Sequence, residues 1–385
     1  MNRPTLPIGL LSFTAGALAA NLYYSQPLLP QIGRTFGLVN GRVGLISTAS
    51  QVGYAAGLLL FVPLGDIFER RHLIVGLLVA VAVSLGIAAG APNFAIMAAA
   101  SFAIGMTTVV PQIVVPYAAG LVDAPMRGQV VGRVMGGLLI GILAARVLAG
   151  LVGAIAGWRA MFALASVLML ALAAALSRML PVEPPRPMIT YGSLLRSLLA
   201  IARRQPVVRD AAAIGSLNFV AFSAFWTTLA FRLELAPMHY GSAVAGAFGL
   251  VGIVGASVAP LVGRLADKRP PRSTVGLGLA VVTLAYVLFA AVGSTVIGLV
   301  VGVIVLDAGM QVVNISNQTR IYQLAAAEHN RVNTVYMVTY FTGGSIGSAL
   351  GVWAWGQWRW TGVCAVGLCA MLLSAMVYMR GARRF

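Results

Sequence analysis

Apolar stretches of about 20 residues recur from one end of this chain to the other, each long enough to cross a bilayer as a helix. Hydrocarbon offers no water to backbone N–H and C=O groups, so each stretch must satisfy its own polar groups, and a helix does so. Twelve stretches can be placed, at 7–30, 40–63, 73–91, 94–122, 129–155, 158–180, 208–231, 241–263, 275–292, 295–318, 332–355 and 358–380. Charge is scarce: 9% of the 385 residues are charged and 59% are hydrophobic. The mean hydropathy is +0.92. A soluble domain of this size needs far more surface charge. The expected fold class is an all-α integral membrane protein of twelve transmembrane helices. The first stretch is too long for a signal-peptide core and lacks a clear cleavage site, so it reads as a retained helix.

The net charge of +17 does not point to nucleic acid, because the basic residues are dispersed over short loops. They read as topology signals. With both termini cytoplasmic, 20 of the 26 Lys and Arg fall in inner segments, five (Arg34, Arg42, Arg159, Arg232, Arg359) fall outside, and Arg146 lies within the membrane. This orientation predicts a multi-pass protein of the cell inner (plasma) membrane. The longest polar interruption, 181–207, reads as a linker between bundles at 1–180 and 208–385. Within it, "YGSLLRSLLAIARR" reads as an amphipathic helix on the lipid surface, with Arg196, Arg203 and Arg204 toward headgroups. The halves repeat. "VPLGDIFERR" (62–71) and "GRLADKRPPR" (263–272) each follow a second helix, which sets Asp66 and Asp267 201 residues apart. A carboxylate at such an inner end can cap a helix of the opposite half.

Several activities are excluded or disfavoured. His72, His239 and His329 lie at span ends or loops and form no metal-ligand spacing. Cys364 and Cys369 read as small residues of the last helix. Lys268 is the only lysine and follows an acid, so no Gly-Lys-Ser/Thr phosphate-binding loop exists and any active transport would have to draw on an ion gradient. No cofactor and no enzymatic activity are expected. A channel would be built from rings of charge in an oligomer, whereas two pseudo-symmetric halves suit alternating access in a monomer.

The tenth stretch runs through "LDAGMQVVNISNQTR". Asp307, Gln311, Asn314 and Gln318 fall within about 60° of arc on one helix face. Facing lipid, the acid alone would cost about 2.5–3.5 kcal/mol. The stripe therefore faces protein or water, either as polar glue between helices or as a cavity wall. Arg146 is the other deep charge. It borders a ridge of small residues at 137, 141, 145, 149, 153 and 157, suited to close helix packing. Arg146 and Asp307 are each 13 residues from an inner arginine (Arg133 and Arg320), hence about 20 Å deep. They are opposite in sign, lie in different halves, and are expected to pair directly or through substrate in at least one conformation. Asp307 is the expected proton carrier.

The resemblance is to the major facilitator superfamily. Gly263, Asp267 and Lys268 match its loop pattern Gly-x-x-x-Asp-Lys/Arg, and Asp66, Arg70 and Arg71 form a degraded first copy with Val62 in place of glycine. Gly132 and Gly141 keep the spacing of its antiporter helix-five motif. "NLYYSQPLLP", "DAGMQVVNISNQTRIY" and "RVNTVYMVTYFTGG" resemble a bacterial branch of drug-type or arabinose-efflux-type exporters. The resemblance implies a central cavity among helices one, four, seven and ten. The expected lining is Asn21, Tyr24, Gln112, Asn218, Trp226, Gln311, Asn314 and Gln318, with Tyr336 and Tyr340 added from helix eleven. It also implies a cytoplasmic gate of Asp66, Arg70, Arg71, Asp267 and Lys268. Amides mixed with aromatics suit a partly apolar small-molecule substrate. The expected function is proton-coupled efflux of small amphipathic organic compounds by multidrug-type antiport. The alternative is a carrier for an anionic metabolite anchored on Arg146, working by symport or facilitated diffusion.

Overall fold

Hydropathy places helices but does not show where their hydrogen-bond ladders break. The computed structural model describes residues 8–38, 40–123, 126–181, 191–256, 271–322 and 329–382. The first crossing is split into α1 (Ile8–Ala20) and α2 (Ser25–Thr35) by a turn at 21–24. The turn sits just ahead of Pro27, which lies in the first turn of α2, where its missing N–H disrupts least. The second crossing is α3 (Asn40–Val43) and α4 (Leu45–Leu60), closed by a 3₁₀ turn at Pro63–Asp66. The third is α5 (Arg70–Ala89). The fourth is split in the same manner, into α6 (Phe94–Thr107) and α7 (Pro111–Gly120), with Pro111 opening the second piece. Asn93 caps α6 by accepting from the Ile96 amide at 3.0 Å. α8 (Arg127–Ala156) and α9 (Trp158–Met179) turn at Gly157, whose φ of 82° suits glycine.

The second half follows α10 (Tyr191–Arg204). It comprises α11 (Pro206–Glu234), α12 (Ser242–Ala256), α13 (Pro271–Val292), α14 (Val296–Tyr322) and α15 (His329–Ala382). The last supplies two crossings, because Trp358 and Arg359 leave helical geometry between them. Twelve crossings result among the described residues, as the hydropathy predicts. Large side chains such as Ile140, Ile155 and Ile297 face outward, where lipid would cover them.

Each half has its own core. α1 packs on α8, α4 on α6 and α5 on α9, while α11 packs on α15 and α13 on α14. The small ridge of α8 serves the contact with α1. A Cβ on Gly16 would fall on the Gly137 carbonyl, and one on Gly141 would fall on the Gly16 backbone. That backbone-on-backbone approach is what small residues permit in a membrane. Between the halves, α8 meets α12 and α4 meets α15.

The linker helix departs from expectation. Arg196, Arg203 and Arg204 are exposed, but the apolar face of Leu194, Leu198 and Ile201 is buried by protein instead of lipid. Ile201 joins a cluster with Val208, Ala211 and Val332 at the inner end of the second half. The Tyr191 hydroxyl donates to the Leu60 carbonyl of α4 at 3.1 Å, so α10 touches both halves.

Candidate transport pathway

The two halves touch differently at their two ends. At the outer end they are sealed. Gln31 of α2 donates to Ser242 Oγ of α12 at 2.9 Å and to the Gly153 carbonyl at 3.0 Å, and Ser242 donates to the Gly150 carbonyl at 3.2 Å. Thr48 of α4 donates to Ser348 of α15 at 3.0 Å, and Ser223 of α11 donates to Gln51 of α4 at 3.2 Å. Backbones approach closely at the same end: a Cβ on Gly150 would lie 2.9 Å from the Gly246 Cα. Phe231 and Trp355 of the second half are buried in the core of the first. An ion pair between Arg34 of α2 and Glu234 of α11 closes the rim.

At the inner end the halves part around a cavity of about 350 Å³. Its walls include Leu58, Gln112 and Met135 from the first half and Gln318, Arg331 and Met337 from the second. Leu194, Ser197 and Leu198 of α10 form part of its wall too. This conformation is therefore open to the cytoplasmic side defined by the basic residues and closed to the other.

The Arg34–Glu234 pair yields a first prediction. Arg34 is 65% exposed, so the pair contributes about 1 kcal/mol or less. Glu234→Gln is expected to raise the outward-open population by up to about fivefold. A cysteine at Ala230, placed in a variant with Cys364 and Cys369 changed to serine, would report this through its labelling rate by an impermeant thiol reagent. An unchanged rate would show that the pair does not hold the rim.

Above the cavity lies a charged layer. Arg146 of α8 is 2% exposed. Its Nε donates to Gln26 Oε1 at 2.9 Å, and its guanidinium lies 3.9 Å from the Trp226 ring and 4.8 Å from the Tyr23 ring. Its Nη2 has no partner. Asp307 of α14 is 8% exposed, and its Oδ2 has no partner. It stands against α12, where Cβ atoms on Gly252 and Gly255 would lie 3.6 Å from its Oδ2 and 2.7 Å from its Cβ. The two charges act on one another electrostatically but make neither an ion pair nor a hydrogen bond. α8 and α12 meet between them, so the layer lies at the junction of the halves.

The other expected residues divide. Gln112 and Gln318 line the cavity. Asn314 accepts from Gln318 at 3.3 Å and from the Tyr336 hydroxyl at 3.1 Å, and Gln311 is half-buried on the same face. Tyr340 stacks on Phe219 at 4.2 Å. Trp226 belongs to the charged layer. Asn218 is turned into the second half, donating to Met310 Sδ at 2.8 Å. Asn21 is turned into the first half, donating to Met169 Sδ at 3.5 Å, and Tyr24 is buried. Trp226, Gln311, Asn314, Tyr336 and Tyr340 are thus not among the residues of the described cavity wall in this conformation, nor are Asn21, Tyr24 and Asn218, which are taken up by interior packing. Of the expected gate, Arg70 lines the cavity and Arg71 donates to the Ser177 carbonyl within its own half. Asp267, Lys268 and the side chain of Asp66 lie outside the described residues.

Sequence reasoning missed three elements: the Arg34–Glu234 rim, the cavity face of α10, and the glycine run of α12. The last was legible. Gly246, Gly249, Gly252 and Gly255 recur every third residue, and they face Gly150, Arg146 and Asp307.

Two six-helix bundles, sealed together at one end and parted around a cavity at the other, define a secondary transporter rather than an enzyme. The chain belongs to the major facilitator superfamily, whose profile it matches over residues 11–352. It is 42% identical over 348 residues to the uncharacterized transporter YgaY of Escherichia coli O157:H7, covering 90% of this chain and 88% of that protein. It is 26% identical over 276 residues to a chloramphenicol resistance protein of Streptomyces lividans, covering 69% and 68%. Its fold is similar to that of a bacterial homologue of the human lysosomal transporter Spinster in an inward-facing, unoccupied conformation. The TM-score there is 0.78 at 13% identity, over 98% of this chain and 96% of that one.

Proposed function

We propose that this transporter uses a proton gradient to export small amphipathic organic compounds. One observation carries the reading: two opposite charges, each with an unpaired polar atom, are buried in facing halves of a carrier and do not touch. A buried charge without its counter-charge is costly, so a second arrangement in which the pair closes would be favourable. An ionised Asp307 attracts Arg146 across the junction, and a protonated one does not. Proton uptake therefore changes the relative energy of the two arrangements, which is the requirement for coupling. The cavity, walled mostly by Leu, Ile, Val, Met and Pro with a few amides and arginines, suits an amphipathic solute entering from the cytoplasmic side. The similarity to a chloramphenicol resistance protein supports the outward direction.

The test uses liposomes with an imposed pH gradient and labelled chloramphenicol as the first of a panel of amphipathic probes. Transport is expected to follow the gradient and to collapse with a proton ionophore. The reversed pair, Arg146→Asp with Asp307→Arg, is expected to recover coupling that each single change loses. Equal loss in all three variants would argue that the charges act separately. Gradient-independent movement of every probe would overturn proton coupling.

A further inference from the structure

We infer that the transported compound carries an anionic group, a carboxylate or sulfonate on an aromatic body, and that this group docks on Arg146 and Trp226. The inference rests on the reading that the charged layer lies on the substrate path. The layer holds two N–H donors without acceptors. Arg146 Nη2 is one, and Trp226 Nε1, in a side chain also 2% exposed, is the other. The guanidinium lies 3.9 Å from the Trp226 ring, so both belong to one small region. Other buried donors, Trp355 Nε1 and Asn317 Nδ2 among them, also lack partners, but Arg146 Nη2 and Trp226 Nε1 belong to side chains in contact, where a single anionic group can serve both. An anion supplies lone pairs to both and offsets the arginine charge. A cation would supply neither. The chain's own acid does not fill the position, since Asp307 is seated against Gly252 and Gly255.

The route to this point favours the same chemistry. Among the described residues, the cavity wall contains Arg70 and Arg331 and no acid. Arg331, exposed at this wall, attracts an anion toward the cleft. From the cavity, a ladder of rings climbs toward the layer. Tyr336, one residue before the wall residue Met337, lies 5.9 Å from Tyr340 between ring centres. Tyr340 to Phe219 is 4.2 Å, Phe219 to Phe222 is 5.7 Å and Phe222 to Trp226 is 6.0 Å. Stacked and tilted rings at these spacings accept an aromatic body. The top of the described cavity, at Leu138, is eight residues short of Arg146 on α8, about 12 Å along the axis. The anion would thus be engaged once the rings between them move aside.

Three probes with one ring system and different charge test this on the purified full-length chain: naphthalenesulfonate, naphthalenemethanol and naphthylmethylammonium, read by titration calorimetry. The sulfonate is expected to bind about tenfold or more tightly than the other two, as a charge-assisted contact would give. Arg146→Gln is expected to remove that preference and leave the alcohol unchanged, while Arg146→Lys keeps part of it. Trp226→Phe retains the ring and deletes the donor. It is expected to weaken the sulfonate by about threefold and serves if the arginine variants fail to fold. Equal affinity for the three probes, or preference for the ammonium, in the wild-type chain would overturn the inference. A sulfonate preference that survives Arg146→Gln would also overturn it, placing the anion at Arg70 and Arg331. Because binding is read without a gradient, a failure here leaves proton coupling standing, and a failure of coupling leaves this result standing.

Discussion

Asp307→Asn is expected to abolish gradient-driven accumulation while the protein still folds and still binds its substrate. The side chains are nearly equal in volume, and Asp307 Oδ2 accepts no hydrogen bond that an amide would forfeit. What the change removes is the ability to exist in two charge states. A gradient of one pH unit supplies about 1.4 kcal/mol per proton, or tenfold accumulation at one proton per cycle. That factor should fall to about one in the variant. Counterflow of labelled against unlabelled compound, which needs no gradient, should persist. Accumulation that still tracks the pH gradient in Asp307→Asn would move the coupling role to another group.

The second large effect contrasts two glycines. Gly16 lies inside the first half, where a Cβ would fall on the Gly137 carbonyl of α8. Those helices have no reason to separate during transport. Gly16→Leu should therefore destabilise every state, by about 1–3 kcal/mol or more for overpacking, and lower both yield and melting temperature. Gly246 lies on α12 across the junction, where a Cβ would fall on the Arg146 carbonyl. There the clash exists only when the outer ends are together. Gly246→Leu should fold near normally, leave the outer end open and stop turnover, because the protein can avoid the clash by adopting its other state. A cysteine at Ala230 should then react rapidly from outside. If both variants lose stability alike, α8 and α12 do not part during the cycle.

How much of this was legible in the sequence follows from what hydropathy encodes. Twelve crossings were readable because hydrocarbon demands a helix wherever the chain enters it. The geometry of the breaks at 21–24 and 108–110 was not, since hydropathy does not report where a hydrogen-bond ladder is interrupted; Pro27 and Pro111 marked the places only. Arg146 and Asp307 stood out because a charge in oil requires a reason. Their surroundings did not. Gln26, Tyr23 and Trp226 come from segments far away in the chain, and nothing local ties them to residue 146. On the polar face of α14 Gln318 donates to Asn314, yet Asn317, fully buried off that face with an unpaired Nδ2, was overlooked. For α10 the amphipathic pattern showed that Leu194, Leu198 and Ile201 need cover. It could not say whether lipid or protein provides it.

The glycine junction of α8 and α12 also bears on how the carrier rests between cycles. There the outer end closes main chain against main chain, while the inner end parts around a hollow walled by longer side chains. Sealing outside is then the less demanding of the two closures. An unloaded molecule would idle with its mouth toward the cytoplasm, the side on which an exporter meets its cargo.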